Sequence, residues 1–155
     1  MTSGTRPSGH TELVELTAAL DAPCPPDTLF EWVDDLDRYP AWLGIVARTQ
    51  RLDGEPPRWT VDLRARVGPL SRAKRLTMQR TELDAPCIAV FERNEPDGKA
   101  HGVWVLRAEV SETAGGSHLE MTLRYDGRWW AAPLHGLLVE EIERSRTRLL
   151  ELVST

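Results

Sequence analysis

Two polar residues, Glu141 and Ser145, fall where the sequence predicts the apolar side of a helix. From about residue 130 to 153, leucine and isoleucine recur at helical spacing, and both residues lie near the centre of that stripe. A carboxylate facing a sheet is costly unless it is paired or protonated. Glu141 could therefore be a ligand anchor or a general acid with a raised pKa. Alternatively, the helix is rotated by roughly a third of a turn and Glu141 lies at the wet rim.

Arg80 and Tyr125 are the other polar residues with inward parity, and with Glu141 they are the candidate catalytic residues. Arg80 shares its strand parity with Leu76 and Met78, so it is the candidate partner of an inward Glu141. Tyr125 ends the last strand and could donate a hydrogen bond to a carbonyl. Packing in the core or at the rim is the alternative for each of them.

The residues that could bind a metal lack the spacing of a metal site. The histidines do not cluster, neither cysteine belongs to a CxxC pair, and the aspartates near residue 35 are interpreted as a solvated helix end. These residues are His10, His101, His118, His135, Cys24, Cys87, Asp34, Asp35 and Asp37. We therefore expect no metal, no cofactor and two free thiols.

The composition is that of one globular domain. The chain has 155 residues, 41% of them hydrophobic and 28% charged, which argues against disorder. Its net charge of -5 argues against a nucleic acid or an anionic membrane as partner, and the sequence shows no basic cluster beyond Arg72, Lys74 and Arg75. No apolar run approaches the ~18 residues of a membrane helix. We expect a cytoplasmic protein with a disordered segment at 1–10 and a single domain at 11–155, without a signal peptide.

Alternating apolar and polar residues predict seven strands. Between the first two strands, Pro25 and Pro26 are placed to begin a short helix, and a second short helix follows with Pro40 inside it. The predicted strands are 12–20, 45–52, 58–67, 72–83, 87–94, 102–111 and 118–125; the long helix is 130–153. An antiparallel sheet with one apolar face needs a cover, and the long helix is the element that can supply it. Such a curved sheet under one helix tends to enclose a cavity.

Six of the ten aromatic residues are tryptophan, and the strand pattern places two of them, Trp59 and Trp104, on the inner face. We predict that they line the cavity together with inward aliphatic and polar residues, although each could instead be core. The predicted lining residues are Trp59, Leu76, Met78, Trp104, Leu106, Met121, Leu123, Tyr125, Leu138, Glu141 and Ser145. Trp129 and Trp130 are a candidate lip, core plug or dimer contact.

The segment from Ala19 to Val46 carries a family pattern. Its positions are Ala22-Pro23, Leu29-Phe30, Val33, Asp35, Tyr39-Pro40 and Trp42. This pattern resembles the opening of the START-like (SRPBCC) superfamily, also called the polyketide cyclase/dehydrase and lipid-transport group. The resemblance implies an α+β helix-grip fold: a curved antiparallel sheet of about seven strands, with two short helices after strand 1, wrapped around a long C-terminal helix.

The same resemblance implies an internal cavity for lipids, sterols, hormones or polyketides. We expect binding of a small hydrophobic molecule, such as a lipid or polyketide, by a monomer or homodimer. The alternative is a cofactor-independent polyketide cyclase/aromatase or dehydrase-like enzyme. A third possibility is a partner-binding module like the family's membrane- or ribosome-associated members. Nucleic acid and stable membrane insertion are not expected.

Overall fold

A computed structural model describes residues 13–67, 69–126 and 132–154. They form seven strands, a one-turn helix, a 3-10 helix and a long C-terminal helix. In chain order these are β1 (Leu13–Ala22), α1 (Pro26–Phe30), the 3-10 helix (Leu36–Ala41), β2 (Val46–Leu52), β3 (Arg58–Val67), β4 (Leu70–Asp84), β5 (Ile88–Arg93), β6 (Trp104–Thr113), β7 (Gly116–Asp126) and α2 (Ala132–Val153). Residues 1–10 and Trp129-Trp130, for which predictions were made, lie outside the described residues.

The strands form one antiparallel sheet in the order β1-β7-β6-β5-β4-β3-β2. β1 is hydrogen-bonded to the last strand, β7, whereas β2 is hydrogen-bonded to β3. The chain therefore crosses from one edge of the sheet to the other between β1 and β2, and these two strands form the edges. The predicted α+β architecture of seven antiparallel strands, two short helical segments and a long C-terminal helix is confirmed. The strand bounds differ by a few residues; β4, for example, begins at Leu70 rather than at residue 72.

The second short helix is a 3-10 helix that ends at Ala41, and Pro40 lies inside it as predicted. Two long-reaching hydrogen bonds hold this region together. The buried Tyr39 hydroxyl donates to the Val33 carbonyl at 2.9 Å, and the Trp42 indole donates to the Trp32 carbonyl at 3.0 Å. The aromatic positions of the family pattern thus satisfy backbone groups left by the preceding turn.

Aromatic side chains fill the part of the core on the β3–β5 side of the sheet. Trp59, Phe91 and Tyr39 are fully buried. The Phe91 ring lies 5.7 Å from Trp59 and 6.2 Å from Tyr39, both with edge-to-face geometry. On the neighbouring strands β6 and β7, Trp104 stacks on Tyr125 at 5.2 Å. Because these rings pack on one another at the preferred separations of aromatic pairs, they occupy the space that the sequence assigned to a cavity wall.

No helix among the described residues is long and apolar enough to cross a membrane. The same part of the chain contains no cluster of three or more residues suited to hold a metal ion. Cys24 is buried and Cys87 is exposed, and both are free thiols.

Candidate ligand-binding cavity

An apolar cavity of about 90 Å³ lies between α2, the concave face of the β1–β7–β6 side of the sheet, and the loop that follows the 3-10 helix. Residues 16–20 of β1 form one wall, and Leu106, Leu119, Met121 and Leu123 form the floor. The loop contributes Trp42, Leu43 and Ile45. From α2, the lining residues are Leu138, Ile142, Ser145, Arg146 and Leu149.

The strand register explains why the floor is apolar. Leu16, Leu123 and Leu106 are paired across β1, β7 and β6, so their side chains form one row on the concave face. Leu16, Leu106 and Leu123 are only partly buried, as are Met121 and Ile142 from the same cavity. The cavity is therefore open to solvent on one side.

Two polar side chains that border the cavity, Ser145 and Arg146, already have hydrogen-bond partners. Ser145 donates its hydroxyl to the Glu141 carbonyl at 2.8 Å and accepts the Gly44 amide at 3.3 Å. The Arg146 guanidinium donates to the Ala19 carbonyl of β1 at 2.8 Å. These bonds hold the walls together and leave an interior surface that is almost entirely apolar.

Glu141 lies at the rim of the cavity and joins α2 to the loop. Its carboxylate accepts hydrogen bonds from Arg148 at 2.6 Å and from Arg144 at 2.9 Å. Arg148 also donates to the Trp42 carbonyl at 3.1 Å. A Cβ on Gly44 would collide with the Glu141 carboxylate and lie 2.6 Å from the Arg148 guanidinium. We call Gly44, Glu141, Ser145 and Arg148 the latch.

The latch corrects the expectation of a general acid at Glu141. Partial burial acts to raise the pKa of Glu141, but the hydrogen bonds and charges of Arg144 and Arg148 outweigh it and lower the pKa below its ordinary value. Arg80 is not its partner, because Arg80 donates to the Asp34 carbonyl at 2.8 Å and lies beside the Trp59 ring. Glu141 is thus a paired carboxylate at the rim.

The predicted lining residues divide into two groups. Five of them border the cavity: Leu106, Met121, Leu123, Leu138 and Ser145. The others lie outside it: Trp59, Leu76 and Met78 are core residues, Trp104 and Tyr125 stack together, and Glu141 is at the rim. Alternation along a strand identified the inner face correctly but could not show which end of that face is filled.

Two of the core aromatics carry polar groups in apolar surroundings. Burial raises the pKa of the Tyr125 hydroxyl. The Trp59 indole nitrogen is buried and has no hydrogen-bond partner among the described residues, while the guanidinium of Arg51 lies 5.5 Å from the ring centroid. Neither group borders the apolar cavity.

The lining residues that the sequence did not indicate come from the edge strand, the loop, α2 and, in the case of Leu119, β7. Residues 16–20, Trp42, Leu43 and Ile45 lie far from β6 and β7 in the chain. The helical spacing of the apolar residues of α2 predicted that they are buried. It did not predict which part of the sheet each of them faces.

A second, polar groove of about 390 Å³ lies at the β5–β6 hairpin and includes Trp104 in its lining. Two contacts between ionisable side chains lie there: Arg93 with Glu95 at 2.7 Å and His101 with Asp97 at 3.0 Å. The Glu95 carboxylate also accepts the Thr77 amide at 3.0 Å. These contacts hold the hairpin against β4.

Comparisons with known proteins agree with the fold. One curated relative is the ribosome association toxin RatA of Pseudomonas aeruginosa strain PAO1, which is 30% identical over 118 residues, 76% of this chain and 80% of the relative. Solved structures of the same fold include the Zhui aromatase/cyclase from Streptomyces sp. R1128, with a TM-score of 0.63, 15% identity and 94% coverage of each chain. Ara h 8.0201 has a TM-score of 0.62 and 12% identity, covering 92% of this chain and 98% of its own.

The model of the family described as polyketide cyclase/dehydrase and lipid transport matches residues 14–153. That range includes every described strand except one terminal residue, and all of α2. The chain therefore belongs to the polyketide cyclase/dehydrase and lipid transport family.

Proposed function

We propose that the protein binds the aliphatic part of a small hydrophobic molecule in the apolar cavity. The observation that carries the proposal is the chemistry of the walls: leucine, isoleucine and methionine face the space, and the bordering Ser145 and Arg146 are already hydrogen-bonded. Burial of apolar ligand surface is the driving force that such a site can supply.

The same walls favour a hydrocarbon chain over a polyketide. Each buried ketone needs a hydrogen-bond donor, since burial of an unpaired polar group costs about 1–3 kcal/mol in proteins. The candidate catalytic residues do not supply one: Arg80 is bonded to Asp34, Glu141 to Arg148, and Tyr125 stacks on Trp104 away from the cavity. These placements support binding or transport rather than cyclase chemistry in this cavity.

The size of the cavity favours binding of the end of an acyl chain. A volume of about 90 Å³ is smaller than the roughly 150 Å³ of an engineered cavity that holds benzene. A narrow acyl chain can enter such a space, with its polar head at the open side beside Leu16 and Met121. Adjustment of the flexible Met121 side chain would extend the space.

The test is the binding of cis-parinaric acid, a fluorescent fatty acid, followed by native mass spectrometry of the purified protein. Met121→Trp fills the cavity and should weaken binding at least tenfold. Glu120→Trp, the adjacent exposed position on β7, is the matched control and should bind like the wild type. Equal binding by both variants, or none by the wild type, would reject the proposal.

A second candidate function is association with the ribosome. Its specific support is the curated relative, a ribosome association toxin that aligns with 76% of this chain. Ribosomes are cytoplasmic, which fits the location expected from the sequence. Co-sedimentation of the purified protein with ribosomal particles through a sucrose cushion tests it, and recovery of all the protein in the supernatant would reject it.

A further inference from the structure

The charge of this protein is unevenly distributed. Residues 46–80, which contain β2, β3 and most of β4, include nine basic and three acidic residues and so carry a net charge of +6. The net charge of the whole chain is -5, so the residues outside 46–80 carry a net charge of -11. A local field can attract a charged partner even when the net charge has the opposite sign.

The sheet register gathers arginines from three strands on one face. Arg48, Asp62 and Arg75 are paired in a row across β2, β3 and β4, so their side chains lie on the same side of the sheet. Arg64 and Arg66 follow Asp62 at alternate positions of β3 and share that side, about 7 Å apart. We call Arg48, Arg64, Arg66 and Arg75 the arginine face.

All four arginines are exposed. Asp62 is the acidic residue among them, and its pKa is lowered first by the hydrogen bond from Arg75 at 2.6 Å and further by the charges of Arg48 and Arg64. One carboxylate therefore faces four guanidinium groups. The face keeps an excess of about three positive charges because a single acid can neutralise only one arginine.

The other half of the sheet is different. On the same side, Arg107 of β6 lies 3.7 Å from Glu109, and Arg124 of β7 lies 4.0 Å from Glu15. Each arginine there has its own acidic partner. The positive field is thus confined to β2–β4.

We propose that the arginine face binds the phosphate backbone of double-stranded RNA. Guanidinium groups match phosphate oxygens in geometry and charge. Among the described residues of the chain, the exposed large apolar side chains are Leu13, Leu83, Val103 and Val139, and none lies among these arginines, so the face offers neither base stacking nor insertion into a lipid surface. The choice of RNA as the polyanion rests on the proposed association with the ribosome. The existence of the cationic face does not depend on that proposal, because it follows from the strand register.

The test is fluorescence anisotropy with a labelled RNA duplex of about 20 base pairs at several salt concentrations. Four phosphate contacts predict a slope of log K against log salt of about -3.6. The double variant Arg64→Gln/Arg66→Gln should reduce the slope to about -1.8 and weaken binding at low salt at least tenfold. Arg107→Gln/Arg124→Gln removes the same charge from the paired half and should bind within twofold of the wild type.

Equal losses in both double variants would overturn the inference, because they would show a response to net charge alone. Binding to phosphatidylglycerol vesicles without binding to the RNA duplex would also overturn it. Ribosome co-sedimentation separates the two proposals. If the wild type binds the duplex through the arginine face but does not co-sediment with ribosomes, ribosome association is rejected and the inference stands. If the wild type and the Arg64→Gln/Arg66→Gln variant co-sediment equally, the inference is rejected.

Discussion

The aromatic residues of the family pattern act through individual hydrogen bonds. Tyr39 is fully buried, and its hydroxyl donates to the Val33 carbonyl that α1 and the following turn leave without a backbone partner. Burial by itself raises the pKa of Tyr39 well above its ordinary value, with further effects of Asp34 and Asp35, so the hydroxyl remains a donor at all physiological pH values. The pattern therefore reports a structural requirement of the fold rather than a catalytic one.

Tyr39→Phe should lower the free energy of unfolding by about 1–3 kcal/mol, because the Val33 carbonyl stays buried without its donor. Urea denaturation measures this difference. Tyr125→Phe is the control, because it removes the hydroxyl of a second buried tyrosine and keeps the ring stacking with Trp104. A larger loss for Tyr125→Phe than for Tyr39→Phe would contradict the assignment.

At the scale of elements, the latch connects α2 to the loop before β2. Arg148 reaches the Trp42 carbonyl and the Glu141 carboxylate, while Ser145 binds the Gly44 amide. Trp42, Leu43 and Ile45 of that loop border the cavity, so these contacts fix one of its walls. Two kinds of variant can probe the latch separately.

The variant Glu141→Gln tests how much the negative charge of Glu141 in the latch contributes to stability. Because the folded-state pKa of Glu141 is below its ordinary value, the carboxylate stabilises the native state above the ordinary pKa, and this stabilisation is lost as pH falls through the folded pKa. Unfolding free energies measured from about pH 6 to pH 3 should therefore fall more steeply for the wild type than for Glu141→Gln. Glu140→Gln, at an exposed neighbour, should keep the wild-type slope.

The variant Gly44→Ala tests the close packing of the loop against α2 in the latch. The added methyl group would overlap the Glu141 carboxylate and crowd the Arg148 guanidinium, so these two side chains must shift and their contacts in the latch are disturbed. We expect a loss of stability and faster exchange of bound cis-parinaric acid in stopped-flow measurements. Gly115→Ala, where an added Cβ meets no atom within 4 Å, is the control for a glycine substitution in a loop. Unchanged exchange in Gly44→Ala would show that the loop does not limit entry.

At the scale of the whole molecule, one helix covers a sheet too wide for it to fill. Aromatic rings pack the β3–β5 side, whereas aliphatic side chains leave a cavity on the β1–β7–β6 side. Leu149 of α2 is 1% exposed and borders that cavity, so it links the stability of the core to the space available for a ligand.

Leu149→Ala should lower the free energy of unfolding by about 2–5 kcal/mol, because it removes buried methyl groups and enlarges the cavity. A saturating fatty acid should restore more stability to this variant than to the wild type, since the enlarged space buries more of the chain. Thermal unfolding with and without ligand measures both effects. Val139→Ala, exposed on the same helix, should change stability by less than about 0.5 kcal/mol. An equal ligand effect in wild type and Leu149→Ala would indicate binding elsewhere.

The sequence by itself determined the order of elements, the apolar face of each strand and the family. Period-two alternation specifies which side chains share a face, and the pattern around Tyr39 and Trp42 specifies the turn before β2, because both depend on residues close together in the chain. Leu106, Met121 and Leu123 could be assigned to the inner face for that reason.

Only the tertiary structure decided which part of the inner face is open and which charges meet. Trp59 is packed against Phe91 rather than facing the cavity, and Glu141 is paired with Arg148 rather than with Arg80, because sheet curvature and the rotation of α2 depend on contacts between distant segments. The arginine face has the same origin. Arg48 and Arg75 are 27 residues apart in the chain, and strand pairing places both beside Asp62.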